Sequence, residues 1–265
     1  MNVGSNIRDK ARERLGKSAG LVDDLAPCVN LDWYLQHKIL EPDERACRNH
    51  KRVLVFARAF HEKRAGVTFV RETDSRTPDL LVETGSYRFY LEVTNRIGGK
   101  DPPHHPDETI VGIVQKKRDQ LPPDAPGFVA ISNFDLGLEW RDGSGITDEH
   151  LATAICEIVR LASAEPDRWS TLAGLIFCSA TSGVLTGLPG PVSELRLPIY
   201  LWANQRRLPP LDEGLFQWMI EALGAKRWTW RASACTAQAS DSTPPSLWEP
   251  PCPRCSYSTP MPPLP

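Results

Sequence analysis

An α/β fold in three layers, with helices on both faces of a sheet, is predicted by three features of this 265-residue chain. Segments with apolar residues at helical spacing alternate with short strand-like runs. Two of those runs, Phe128 to Ser132 and Leu172 to Ala180, are almost continuously apolar, as strands covered on both faces are. Thr77 to Thr94 reads as two alternating strands joined by a tight turn.

Residues 1–40 read as an N-terminal extension. Its first half is polar, with a short helix between Ile7 and Leu15. Leu31, Trp33, Tyr34, Leu35, Ile39 and Leu40 then supply apolar surface that can pack on a core. The main domain spans 41–231. It opens with a helix whose first turn tolerates Pro42, ahead of Asp43 and Glu44. That helix is expected to run to about Ala65 and stop at Gly66. Val53, Phe56, Ala57 and Phe60 form its stripe. Arg45, Arg48, Lys51 and Arg52 cluster near its start, as a solvated face does and as a nucleic-acid contact does. Val67 to Arg71 is the first strand, and the hairpin follows.

Asn95 to Pro106 is a loop holding His104-His105. Asp107 to Leu121 is a helix with acids in its first turn and Lys116, Lys117 and Arg118 in its last. Its stripe is Ile110, Ile113, Val114 and Leu121. Lys117 falls on that stripe, and Lys116 lies to the side. Pro122-Pro123 breaks the chain before the strand at Phe128. A helix from Thr147 to about Ser163 precedes the strand at Leu172. Ser182 to Pro191 is Gly-rich but lacks the spacing and the Lys of a phosphate-binding loop. Pro198 to Ala203 reads as an edge strand and Leu211 to Leu223 as a closing helix. Lys226 to Arg231 interleaves basic and aromatic residues, which suits a terminal amphipathic strand and equally a nucleic-acid contact. Ser, Thr and Pro dominate 232–265, read as a disordered tail.

The hairpin carries the chemistry. Gly85-Ser86 is a two-residue loop with Gly first, the composition of a type II′ turn. Register then sets Val82 against Phe89, Leu80 against Leu91 and Asp79 against Glu92. One face holds Leu80, Val82, Phe89, Leu91 and Val93. The other holds Asp79, Leu81, Glu83, Arg88, Tyr90, Glu92 and Thr94. Glu83 and Arg88 form an ordinary charge pair. Two facing carboxylates repel, and a hard divalent cation between them removes the penalty.

Pro78-Asp79, a hairpin, then Glu92-Val93-Thr94 resembles the PD-(D/E)XK nuclease superfamily. The resemblance is best from about Glu41 to Leu121 and looser up to Trp228. It implies a restriction-endonuclease-like α/β/α core with a mixed central sheet. It also implies a metal-dependent nuclease hydrolysing phosphodiesters, with DNA as the first expectation. Asp79, Glu92 and the backbone carbonyl of Val93 would bind Mg²⁺ or Mn²⁺. Thr94 stands where the motif has Lys, and a hydroxyl carries no charge at neutral pH. Some branches of the superfamily move the Lys to the following helix, which points to Lys117, with Lys116 as its neighbour. Gln120 is a further candidate to orient water or substrate. Glu62 is a candidate because a Glu of the first helix often joins the metal site in that superfamily. The competing reading is a catalytically degenerate member that binds nucleic acid or protein.

Composition bounds these readings. Net charge is −2, so any nucleic-acid contact must be local. No apolar run approaches the ~20 residues of a membrane span. Seven scattered cysteines suit reduced thiols in the cytoplasm. Cys252 and Cys255 form a lone C-x-x-C without a second pair. A homodimer is compatible with these features.

Overall fold

The structure, a computed structural model, describes residues 3–72, 77–95, 106–132, 148–178, 199–204, 207 and 209–227. Three helices come first: α1 (Val3–Leu15), α2 (Gly20–Asp24) and α3 (Leu31–Tyr34), the last running into a π-type turn at Leu35–Ile39. The long α4 (Glu44–Glu62) follows. Leu21, Val22, Leu25, Leu31, Tyr34 and Leu35 are buried in the same core as Phe56 and Phe60 of α4. The described residues 3–40 therefore form a wall of the core, through the apolar surface their sequence offers. Apolar area removed from water drives that docking.

α4 begins two residues after Pro42 and ends before Ala65. Its exit is made by Arg64 at φ 62°, with Ala65 N–H bonded to the carbonyl of Phe60. The left-handed residue expected at Gly66 is thus Arg64, and Gly66 already opens β1 (Gly66–Phe69). β2 (Leu80–Glu83) and β3 (Arg88–Asn95) pair as the sequence predicts: Leu80 with Leu91, Val82 with Phe89, Glu83 with Arg88. The turn differs. Gly85 has no positive φ, as a type II′ turn would require. Instead the Thr84 hydroxyl accepts the N–H groups of Ser86 and Tyr87, and Thr84 N–H bonds the Tyr87 carbonyl at 2.7 Å. A side chain here does what a glycine dihedral was expected to do.

The helix α5 (Pro106–Arg118) crosses over to β4 (Gly127–Ser132), which is parallel to β3. Then α6 (Asp148–Ala164) and the short α7 (Pro166–Trp169) lead to β5 (Leu172–Cys178), parallel to β4. β6 (Ile199–Ala203) runs antiparallel to β5. It is not an edge, because β7 (Lys226–Arg227) pairs with it. Between them, α8 (Glu213–Leu223) is capped by Asp212, whose side chain accepts Leu215 N–H at 2.9 Å, and ends at Gly224 with φ 59°.

The described strands form one mixed sheet in the order β1 to β7. One face is covered by α1–α4 and α8 through Phe60, Phe89, Phe128 and Met219. The other is covered by α5 and α6 through Ile110, Val114, Ile155 and Ile158 over Val129, Leu175 and Phe177. Among the described residues no helix is long and apolar enough to cross a membrane. The tail at 232–265, the His104-His105 loop, the Gly-rich loop at 182–191, Cys252 with Cys255, and Trp228 to Arg231 lie outside the described residues.

Candidate functional site

Alternation along β3 puts Tyr90, Glu92 and Thr94 on the α5 face and Leu91 and Val93 on the α4 face. Glu92 is 3% exposed, a charged residue in the interior of a sheet. Asp79 sits one residue before β2, across from it. Two backbone contacts fix Asp79: its carboxylate Oδ2 accepts Val93 N–H at 2.8 Å, and its carbonyl accepts Val70 N–H at 3.0 Å. The register that pairs Leu80 with Leu91 therefore also brings Asp79 beside Glu92, close enough for the Asp79 charge to act on Glu92.

Two neighbouring carboxyls repel one another when both are ionised, and a cation between them relieves the repulsion. Their proton affinities show the strain. Burial is the main cause that raises Glu92 well above the usual carboxylate range, and the neighbouring Asp79 charge adds to it. Burial likewise raises Asp79, against the Val93 N–H and the Lys117 and Lys38 charges that favour its ionised form.

Lys117, in the last turn of α5, brings its Nζ to 2.5 Å from Glu92 Oε1. The stripe that docks α5 on the sheet, Ile110 and Val114, carries Lys117 inward with it. Thr94 is half-buried two residues past Glu92 on the same face, and it offers no charge. The ammonium that the Glu92-Val93-Thr94 tripeptide lacks thus arrives from a helix.

The remaining sequence candidates separate clearly. Lys116 is exposed on α5. Gln120 is half-buried just past the helix, and its buried Oε1 has no hydrogen-bond partner among the described residues. The Val93 side chain is buried against the α4 layer, and its backbone N–H serves Asp79. Glu62 is exposed and ion-paired to Arg58 at 2.7 Å. It lies some 18 Å along α4 from His50, at about 1.5 Å per residue. Lys51 and Arg52 are half-buried on α4; the side chains of Arg45 and Arg48 are not among those described.

Four residues that the sequence did not single out gather at the same end of the sheet. Tyr34 is 1% exposed, and its hydroxyl meets His50 Nδ1 at 2.9 Å. The charges of Asp79 and Glu92, after burial, help raise the Tyr34 hydroxyl's proton affinity. Burial, with the charges of Lys38 and Lys117, pushes His50 down to about 4, so it is neutral at pH 7. Lys38 and Glu72 form an ion pair at 2.5 Å beside this group. A signal for His50 existed: it lies three residues after Cys47 and three before Val53, a polar position on the buried stripe of α4.

Among the described residues no group of three or more His, Cys, Asp or Glu side chains converges as a metal cage. The donor set is nevertheless of the kind Mg²⁺ accepts, since that ion is commonly held by one or two carboxylates with water and substrate phosphate completing the shell. Burial is the main cause that raises both carboxyls, and a cation between them would favour their ionised forms. The chain matches no family model, no curated protein and no solved structure.

Proposed function

We propose that this chain is a metal-dependent phosphodiesterase of the PD-(D/E)XK type acting on nucleic acid, with DNA as the first substrate to test. The observation that carries the reading is the contact of Lys117 Nζ with Glu92 Oε1, beside an Asp79 carboxyl fixed by Val93 N–H. An ammonium and two carboxyls meet there although the tripeptide on the strand lacks its Lys. The mixed sheet with helices on both faces supports a restriction-endonuclease-like core. Cys28, Cys47 and Cys156 are buried and form no disulfide among the described residues, which supports a reducing, cytoplasmic setting.

In this reading Asp79 and Glu92, with the Val93 carbonyl, would hold Mg²⁺ or Mn²⁺. The ion would supply a water of lowered pKa and a positive charge for phosphoryl oxygens. Lys117 would release Glu92 to that role and turn its ammonium to the attacking water or to the charge that grows on the phosphoryl group. The Asp79–Val93 hydrogen bond would keep the Asp79 carboxylate in place. The low polarity around Glu92 strengthens each of these interactions.

Plasmid cleavage with Mg²⁺ or Mn²⁺ tests the proposal, comparing wild type with Asp79→Ala and Lys117→Ala. Cleavage that survives Asp79→Ala removes the catalytic assignment. A second reading, a degenerate module that binds nucleic acid or protein, is favoured by Thr94. It predicts DNA retention without metal-dependent cleavage.

A further inference from the structure

The carboxylate centre has a second wall. Tyr34 packs its ring on Phe69 at 4.6 Å between centroids and meets the His50 ring edge-on at 5.6 Å. Phe69 is paired with Leu80, the neighbour of Asp79, and Val70 N–H binds the Asp79 carbonyl. The Tyr34–His50 pair is therefore anchored to the strand start that carries Asp79. The nearby ion pair of Lys38 and Glu72 flanks it.

The tautomer follows from hydrogen-bond accounting. The Tyr34 hydroxyl is buried, and its proton needs an acceptor. Among the described residues His50 Nδ1 is the acceptor within reach. Nδ1 therefore accepts the hydrogen bond of the Tyr34 hydroxyl, and the neutral imidazole carries its N–H on Nε2. His50 is half-buried, so the residue lies between the core and the surface. A buried aromatic core would not require a histidine whose tautomer is held by a tyrosine; a donor of fixed direction would.

We propose that His50, oriented by Tyr34, is a substrate-binding group of the same centre, whose Nε2–H donates to a non-bridging oxygen of the phosphodiester. A neutral donor suits this place, because Lys117 and Lys38 already supply the positive charge. Tyr34 acts through His50 and is a positioning residue. The inference rests on the phosphodiesterase reading, and it adds a phosphate contact from the α4 side of the sheet to the Lys117 contact from the α5 side.

The test uses the full chain with His50→Ala, His50→Gln and Tyr34→Phe, and Asp79→Ala as the control for the reading it rests on. Three quantities are measured: single-turnover cleavage of a duplex with Mn²⁺, affinity for a fluorescent duplex with Ca²⁺ in place of Mn²⁺, and the melting-temperature rise given by Mn²⁺ alone. His50→Ala should slow cleavage by about 10²-fold, the loss on removing one preorganised donor to a reacting oxygen. It should also weaken duplex affinity while the Mn²⁺ response stays that of wild type. His50→Gln, which keeps an N–H, should recover part of the loss, and Tyr34→Phe should show a smaller defect of the same kind. His50→Ala with wild-type rate and affinity, while Asp79→Ala is inactive, overturns this inference and leaves the phosphodiesterase reading standing. A wild type that neither cleaves nor binds the duplex removes both. Loss of the Mn²⁺ response in His50→Ala would assign His50 to the metal centre's own framework and also overturn the phosphate contact.

Discussion

Lys117 Nζ lies 2.5 Å from Glu92 Oε1, although 25 positions of chain separate the two residues. Glu92 is nearly sealed, its side chain 4% exposed, while the Lys117 side chain is 24% exposed. The pair therefore has one end in the interior and one toward the surface. A buried acid of this kind either takes up a proton, meets a cation, or destabilises the fold.

Replacing Lys117 with Met should reduce metal-dependent cleavage by about 10²- to 10³-fold, as the loss of one preorganised charge or donor does. Stability should fall by about 1–3 kcal/mol, because Glu92 can take up a proton rather than remain an unpaired buried charge. Lys116→Ala, on the exposed face, should match wild type in both. A Lys117→Met/Thr94→Lys double variant returns an ammonium to the strand position and should recover part of the rate. Equal rates for wild type and Lys117→Met in single-turnover assays would remove Lys117 from the chemistry.

The carboxyl pair makes stability depend on pH. Asp79 and Glu92 both bind protons more tightly in the fold than their ordinary values of 3.8 and 4.5. The folded state thus holds more protons than the unfolded chain, and stability falls as pH rises from about 4 through neutrality. Divalent metal competes for the deprotonated pair, so the melting-temperature gain from Mn²⁺ should grow over the same range. Asp79→Asn should raise metal-free stability at about pH 8 and abolish the metal response. Thermal melts across that range, with and without Mn²⁺, check it. A metal response that shrinks with rising pH would contradict the assignment.

Phe89 ties the strand of the site to its surroundings. Its ring meets Phe60 at 5.4 Å, Phe128 at 5.6 Å and Trp218 at 6.1 Å, joining α4, β4 and α8 to β3. Phe89→Ala should cost about 3–5 kcal/mol, the range for a fully buried aromatic. Chemical denaturation reads the loss. A cost below about 1 kcal/mol would mean that the aromatic cluster is not packed as described.

Two glycines should respond in opposite directions. A Cβ at Gly174 would stand 2.3 Å from the Trp202 carbonyl oxygen, so Gly174→Ala forces β5 and β6 apart and should cost at least about 1–3 kcal/mol. A Cβ at Gly112 meets nothing within 4 Å. Gly112 is exposed within α5, and Gly112→Ala should stabilise the helix that carries Lys117 by up to about 1 kcal/mol. Denaturant midpoints of the two variants decide both.

The sequence by itself determined the hairpin and its register. Side-chain alternation is a local rule, and slipping one residue would have turned Leu80, Val82, Phe89 and Leu91 to the wrong face. It also determined that α5 is a helix with a lysine on its apolar stripe. It did not determine the turn, because Thr84's hydroxyl and Gly85's dihedral are alternative ways to close the same two-residue loop. Docking decided that Lys117 on that stripe meets Glu92, and that Glu62 stays exposed in an ion pair with Arg58. The same docking brought Tyr34 and His50 to the sheet end that holds Asp79. Such meetings join residues far apart in the chain, and no periodicity within one segment encodes the angle at which a helix settles on a sheet.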